Sequence, residues 1–123
     1  MIHGFLQRTY WAKGRSREHV VRTVDSSIPF GLFDGEDQIG FARVVTDYVV
    51  VAFLADVFVH EDYRGKGLGT WLAEVATSHP ELRHVGRWLL ATRDAHTLYS
   101  RFGFGEPDVG VLMERVHKDT WSR

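Results

Sequence analysis

The stretch Val57-Phe58-Val59-His60-Glu61-Asp62-Tyr63-Arg64-Gly65-Lys66-Gly67-Leu68-Gly69-Thr70 decides how the rest of the chain reads. It passes from apolar, strand-like residues through a charged turn to the glycine-rich start of a helix. Glycine has no Cβ, so backbone amides there can come close to a ligand and φ can turn positive. A helix that begins here leaves its first N–H groups unpaired and the positive end of its dipole open, which suits a phosphate group. Arg64 and Lys66 add formal positive charge at the same place. These residues predict a pyrophosphate site in the middle of the chain.

Working outward, residues 49–59 predict one long apolar strand interrupted by a single charge, Asp56. Ahead of it, Ile39, Phe41 and Val45 alternate with polar neighbours in a strand over residues 38–46, and Asp34-Gly35 predicts a hairpin turn back to a strand over 30–33. Ile2, Phe5, Leu6, Tyr10 and Trp11 recur at helical spacing, so residues 2–12 read as a helix that Gly14 ends. Ser16 is a suitable N-cap for a second helix carrying Val20, Val21 and Val24, closed by Ile28-Pro29. Downstream, Leu68, Leu72, Val75 and Ala76 give the glycine-opened helix an apolar stripe. Trp88-Leu89-Leu90-Ala91 reads as a strand covered on both faces. Asp94 can cap a further helix bearing Ala95, Leu98, Tyr99 and Phe102, with Gly103 just past its end. A last strand is expected over residues 109–116. This order predicts an α+β, or mixed α/β, architecture.

The 123 residues predict one domain spanning residues 1–123. Apolar residues at 44% and charged residues at 25% are ordinary for a globular chain. A net charge of −1, with Lys and Arg scattered among acids, argues against nucleic acid as the main partner. The absence of cysteine excludes disulfides and thiolate zinc sites, and the histidines include no H-x-x-x-H pair, so no metal is expected. The longest apolar run is too short for a bilayer, and Met1-Ile2-His3-Gly4 does not start a signal peptide, so no membrane partner and a cytoplasmic location are expected.

Two familiar phosphate loops fail on the glycine segment. No lysine stands between a glycine and a hydroxyl residue, as a Walker loop needs, and Thr70 occupies the third glycine position of a dinucleotide fingerprint. The pattern that does fit is R-G-x-G-[LI]-G after a strand ending in V-x-V. On Arg64-Gly65-Lys66-Gly67-Leu68-Gly69 the chain resembles the GNAT superfamily of N-acetyltransferases, small single-domain bacterial members above all. Ala95-His96-Thr97-Leu98-Tyr99-Ser100-Arg101-Phe102-Gly103-Phe104 is similar to a second motif of that family, A-x-x-L-Y-x-x-x-G-F, in the family's order and at a typical separation. The resemblance covers residues 30–104. It implies a central mixed, mostly antiparallel sheet flanked by helices, and acetyl-CoA as co-substrate.

The resemblance also implies roles. Residues Val57, Phe58 and Val59 would hold the pantetheine arm and turn an N–H toward the thioester carbonyl at a bulge. Arg64, Gly65, Lys66, Gly67, Leu68, Gly69 and Thr70 would take the pyrophosphate. Tyr99 matches the tyrosine that protonates the departing thiolate, a reasonable transfer from a phenol of pKa about 10 to a thiolate whose conjugate acid is near 8.5. Thr92 stands where the family often has an asparagine that contacts the cofactor. Tyr10 and Trp11 precede the loop that often borders the acceptor site. No carboxylate lies in Arg87-Trp88-Leu89-Leu90, where some members keep their base. That leaves Asp56 as the candidate, with His60 or a water chain as alternatives. Asp56 can equally be a buried acid tied to backbone amides or to an arginine.

The superfamily usually opens with a strand that this chain is expected to lack or to have truncated; its absence would leave residues 30–34 as an exposed sheet edge. A homodimer through that edge, or cover from the N-terminal residues, is expected. The function implied is transfer of acetyl from acetyl-CoA to a primary amine of an unidentified small molecule or protein. The alternative is a non-catalytic acyl-CoA-binding or regulatory module.

Overall fold

The computed structural model describes residues 17–93 and 95–117. The expected first helix, the Ser16 cap, Tyr10, Trp11 and Asp94 lie outside them. The first described helix, α1 (Arg17–Asp25), carries Glu18 in its first turn and Arg22 in its last, both favourable to the helix dipole. Its inward residue is Val20, whereas Val21 is exposed. The hydroxyls of Ser26 and Ser27 donate to the carbonyls of Arg22 and Thr23, so the end of the helix is satisfied by side chains.

Strand β1 (Ile28–Asp34) then pairs antiparallel with β2 (Asp37–Thr46) across a tight turn in which Gly35 takes φ +61°. Ile28 and Pro29 belong to this strand rather than closing the helix, and the missing N–H of Pro29 is tolerated on a strand that is outermost among the described residues. Strand β3 (Val51–Val59) pairs antiparallel with β2 and starts two residues later than the apolar pattern suggests. Asp47 is the reason. Its carboxylate accepts the amides of Val49, Val50 and Val51, while the Thr46 hydroxyl donates to the Val51 carbonyl and accepts from the Tyr48 amide. Those bonds fold the start of the apolar run into a turn, with Tyr48 at φ +69°.

Helix α2 (Leu68–Thr77) crosses one face of the sheet and returns the chain to β4 (Arg87–Leu90), which lies parallel to β3. The strand order is β1-β2-β3-β4. Small residues make the helix–sheet contact close: Ala42, Ala52, Ala73 and Ala76 are fully buried. Around them Leu32, Ile39, Val44, Leu54, Val59, Leu72, Leu82 and Tyr99 complete a single core. Phe41 and Phe58 point to the opposite face and stack against each other with ring centroids 6.1 Å apart.

Two expectations are corrected here. Trp88, Leu89 and Leu90 are half-buried, not covered on both faces, because β4 is the last strand of the sheet among the described residues. Residues 109–116 form no strand. The Asp108 carbonyl accepts the amides of Val111 and Leu112, and its side chain accepts that of Gly110, so the segment begins as a turn. Val109 and Met113 are 83% and 98% exposed. Alternating apolar residues do not make a strand where no neighbour supplies the ladder. No helix among the described residues is long and apolar enough to cross a membrane.

Candidate active site

Two features of β3 build the site. The first is its parting from β4. Leu54 faces Leu90, the last residue of β4, and β3 continues through residues 55–59 beyond that point. The second is a bulge at the same level. Arg43 faces Ala55 and Phe41 faces Phe58, so Ala42 stands opposite both Asp56 and Val57. Asp56 adopts φ +54° to make the bulge, a left-handed conformation rare inside a strand for a residue with a Cβ. The backbone around Val57 and Phe58 is therefore rotated out of the regular ladder where the strands diverge.

The Asp56 carboxylate is buried and paired. Arg43 Nε lies 2.6 Å from its Oδ2, with the side chains 11% and 2% exposed respectively. Of the two readings open for this acid, the structure supports one tied to an arginine. The guanidinium engages Oδ2, one of the two carboxylate oxygens. Arg43 was not singled out in the sequence. The signal available was the lone charge at residue 56 itself, which demanded a partner.

Past β3, His60 Nδ1 accepts the Asp62 amide and caps a short 3-10 turn, Glu61–Tyr63. That lone pair is then engaged, so the 3.6 Å approach of the Asp62 carboxylate to the same nitrogen is no ion pair in this tautomer. Arg64 Nε donates to the Val59 carbonyl at 3.0 Å and ties the loop to the strand end. Gly65 and Gly67 take φ +81° and +79°, and Gly67 caps α2 with no side-chain contribution. The first intrahelical bond runs from the Trp71 amide to the Gly67 carbonyl, so the amides of Leu68, Gly69 and Thr70 precede it. No acid occupies the first turn. Lys66 Nζ stands 5.4 Å above the Tyr63 ring, and the Tyr63 hydroxyl donates to Asp34 Oδ2 at 2.8 Å. That bond, first, and then burial and the Asp34 charge raise the Tyr63 pKa. Tyr63 and Asp34 were not foreseen either, since their contact joins a loop to a distant hairpin tip.

Helix α3 (His96–Ser100) brings Tyr99 to the other wall. Its end explains the Gly103-Phe104 pair. Gly103 is left-handed at φ +87°, its amide bonds the Ser100 carbonyl, and the Phe104 amide bonds the Tyr99 carbonyl. The Phe104 ring then meets the Tyr99 ring edge-on at 6.0 Å. Tyr99 is buried in the cluster that contains Leu54 and Val59 from β3, with Val57 packed against it. Thr92 serves locally: its hydroxyl accepts the Ala95 amide ahead of α3.

A cavity of about 910 Å³ opens beside β4, lined by Trp88, Leu90, Tyr99, Phe104 and Leu112 among others. None of residues 64–70 reaches it, and its charged lining sets Arg87 against Glu106 and Asp108. The helix start at Gly67, with free amides and two cations nearby, is the better anion site.

The family described as the acetyltransferase (GNAT) domain matches residues 25–106. A Gibberella zeae protein that carries an acetyltransferase name is 24% identical over 111 residues, 75% of this chain; the chain spans 63% of that relative's length. A crystal structure of a GNAT-family protein from Xanthomonas campestris pv. campestris superposes with a TM-score of 0.92 at 42% identity, covering 99% of this chain and 87% of that one. A Clostridium acetobutylicum protein crystallised with acetyl-CoA shares the fold, at TM-score 0.70 and 12% identity over 92% of this chain and 87% of that one. With the parted strands, the bulge, the glycine-capped helix and the buried tyrosine in register, the chain belongs to the GNAT acetyltransferase family.

Proposed function

We propose that the protein transfers acetyl from acetyl-CoA to a primary amine of a small molecule or protein, by direct attack in a ternary complex. The observation that carries this reading is the coincidence of the β3 bulge with the end of β4, one short loop before the α2 start. The pantetheine arm lies along Val57, Phe58 and Val59, and a rotated amide of the bulge meets the thioester carbonyl as negative charge develops on it. The pyrophosphate sits on the amides and cations of Arg64, Gly65, Lys66, Gly67, Leu68, Gly69 and Thr70. The acetyl-CoA complex of the Clostridium protein, which has the same fold, supports this choice of co-substrate. Thr92 borders the cofactor through its cap of α3. Tyr99 gives its phenolic proton to the departing thiolate. Asp56 acts on geometry, and a water chain takes the proton from the attacking amine. Tyr10 and Trp11 border the acceptor, and we place the protein in the cytoplasm.

A thiol-release assay with acetyl-CoA and a panel of amines tests the reading. Turnover by the wild type and a fall of about 100-fold or more in kcat for Tyr99→Phe are expected, the range for loss of a general acid or base being about 100- to 10,000-fold. Undiminished kcat in the variant removes Tyr99 as the acid. The Arg43 ion pair on Asp56 also favours a second reading, a non-catalytic acyl-CoA-binding or regulatory module. Binding of acetyl-CoA without turnover on any amine would select it.

A further inference from the structure

We propose that Arg43 and Asp56 form a latch that sets the β3 bulge, making both positioning residues for the acetyl-transfer site; the inference rests on the reading above. Asp56 is the residue that goes left-handed to create the bulge, at φ +54° inside a strand. Nothing in its own chemistry demands that conformation, although aspartate tolerates it better than a β-branched residue does. Its side chain is nine-tenths or more buried and is seized by a guanidinium on the facing strand. Arg43 faces Ala55, the residue immediately before the bulge, so the ion pair spans the register slip. Removing the slip would carry the carboxylate away from Arg43. The bond and the bulge are therefore one device.

The position of the device gives it a function. The bulge falls just past Leu54, where β4 ends and the β3 edge opens toward the cofactor. A peptide rotated by a left-handed residue presents its N–H in a direction that a regular strand cannot, and a change of orientation there misaims the donor. The core on the α2 side holds Val57 and Val59, and Phe41 holds Phe58 on the other side. Between them, the Arg43–Asp56 bond is a buried polar contact that fixes the turn of the chain.

Hydroxylamine separates a latch from a base, because it is already neutral at pH 7 and needs no base to attack. In that reaction its nitrogen bonds the acetyl carbon, the C–S bond breaks, the nitrogen gives a proton to water, and the thiolate takes one. If Asp56 positions the bulge, Arg43→Met and Asp56→Asn each lower kcat with hydroxylamine by about 10-fold or more, a displaced oxyanion donor costing less than the about 100- to 1,000-fold of one removed outright. Acetyl-CoA affinity by calorimetry then changes much less, and Arg43→Lys recovers part of the rate. If Asp56 is a base instead, Asp56→Asn keeps full hydroxylamine activity, and the proposal is overturned. A second measurement does not need turnover. Amide hydrogen exchange of Arg43→Lys and Asp56→Asn should quicken at residues 56–58 while α2 stays protected, and unchanged exchange there also overturns the latch. Failure of the wild type to bind or turn over acetyl-CoA strikes the proposed function, whereas faster exchange at residues 56–58 still reports on the latch.

Discussion

Gly67 and Gly69 stand two residues apart in one loop and answer different demands. Gly67 takes φ +79° with open space where a Cβ would stand, so the cost of another residue there is that of the left-handed backbone itself. Gly67→Ala should therefore cost about 1–2 kcal/mol of stability. Gly69 is helical, and an added Cβ would meet only Val59 Cγ2 at 4.0 Å, an ordinary contact. Gly69→Ala should be neutral or gain up to about 1 kcal/mol from helix propensity. Urea denaturation of the two variants checks this, and equal loss in both would contradict it. At Asp47, the amides of Val49, Val51 and Val50, in that order, hold the carboxyl below its ordinary value of 3.8. A group depressed in the fold stabilises above its unfolded pKa and loses that contribution as pH falls through the folded one. The advantage of wild type over Asp47→Asn in thermal denaturation should thus be full near pH 6 and shrink below about pH 4. Residue identities of this local kind were legible: the glycines and the tyrosine stand in recognisable patterns. Arg43 was not, because its bond to Asp56 depends on a strand register and a bulge that one sequence does not display.

Elements show why short-range patterns succeed in one place and fail in another. The end of α3 was readable because Gly103 stops a helix by local geometry, and the structure has it at φ +87° with both capping bonds formed. That cap also aims Tyr99, through the Phe104 ring and the bond to the Tyr99 carbonyl. Gly103→Ala should lower kcat more than it lowers acetyl-CoA affinity, as steady-state kinetics beside calorimetry would show. Equal loss in both would mean that the cap serves the fold and not the tyrosine. Residues 109–116 failed for the opposite reason. Their alternation is strand-like, but a strand forms only where a neighbour offers its edge, and Asp108 offers a turn first. The delayed start of β3 has the same origin, with Asp47 claiming three amides that the apolar pattern assigned to a ladder.

At the scale of the whole molecule, β1 is the outer strand of the sheet among the described residues, and Phe33 is 58% exposed on it. The Phe33 ring covers Gly31 so closely that a Cβ there would lie 2.6 Å from Cε2, which shields the backbone locally. An open edge invites pairing, so analytical ultracentrifugation should show a dimer or a monomer whose β1 amides exchange slowly under its own N-terminal residues. A monomer with fast-exchanging β1 amides would contradict both. The order of elements was legible as α+β because hairpin turns, the glycine-opened helix and the α3 cap are each local signals. The parting of β3 from β4 was not, since it is a relation between strands distant in sequence. It is that parting, together with the helix start at Gly67, on which the account rests. Calorimetric titration of acetyl-CoA into the wild type and Gly67→Ala tests it most directly. A saturable one-to-one isotherm, weakened by about 10-fold or more in the variant, an energy near 1.4 kcal/mol, is the predicted result. Folded wild type that gives no saturable binding, or a variant that binds equally well, would contradict it.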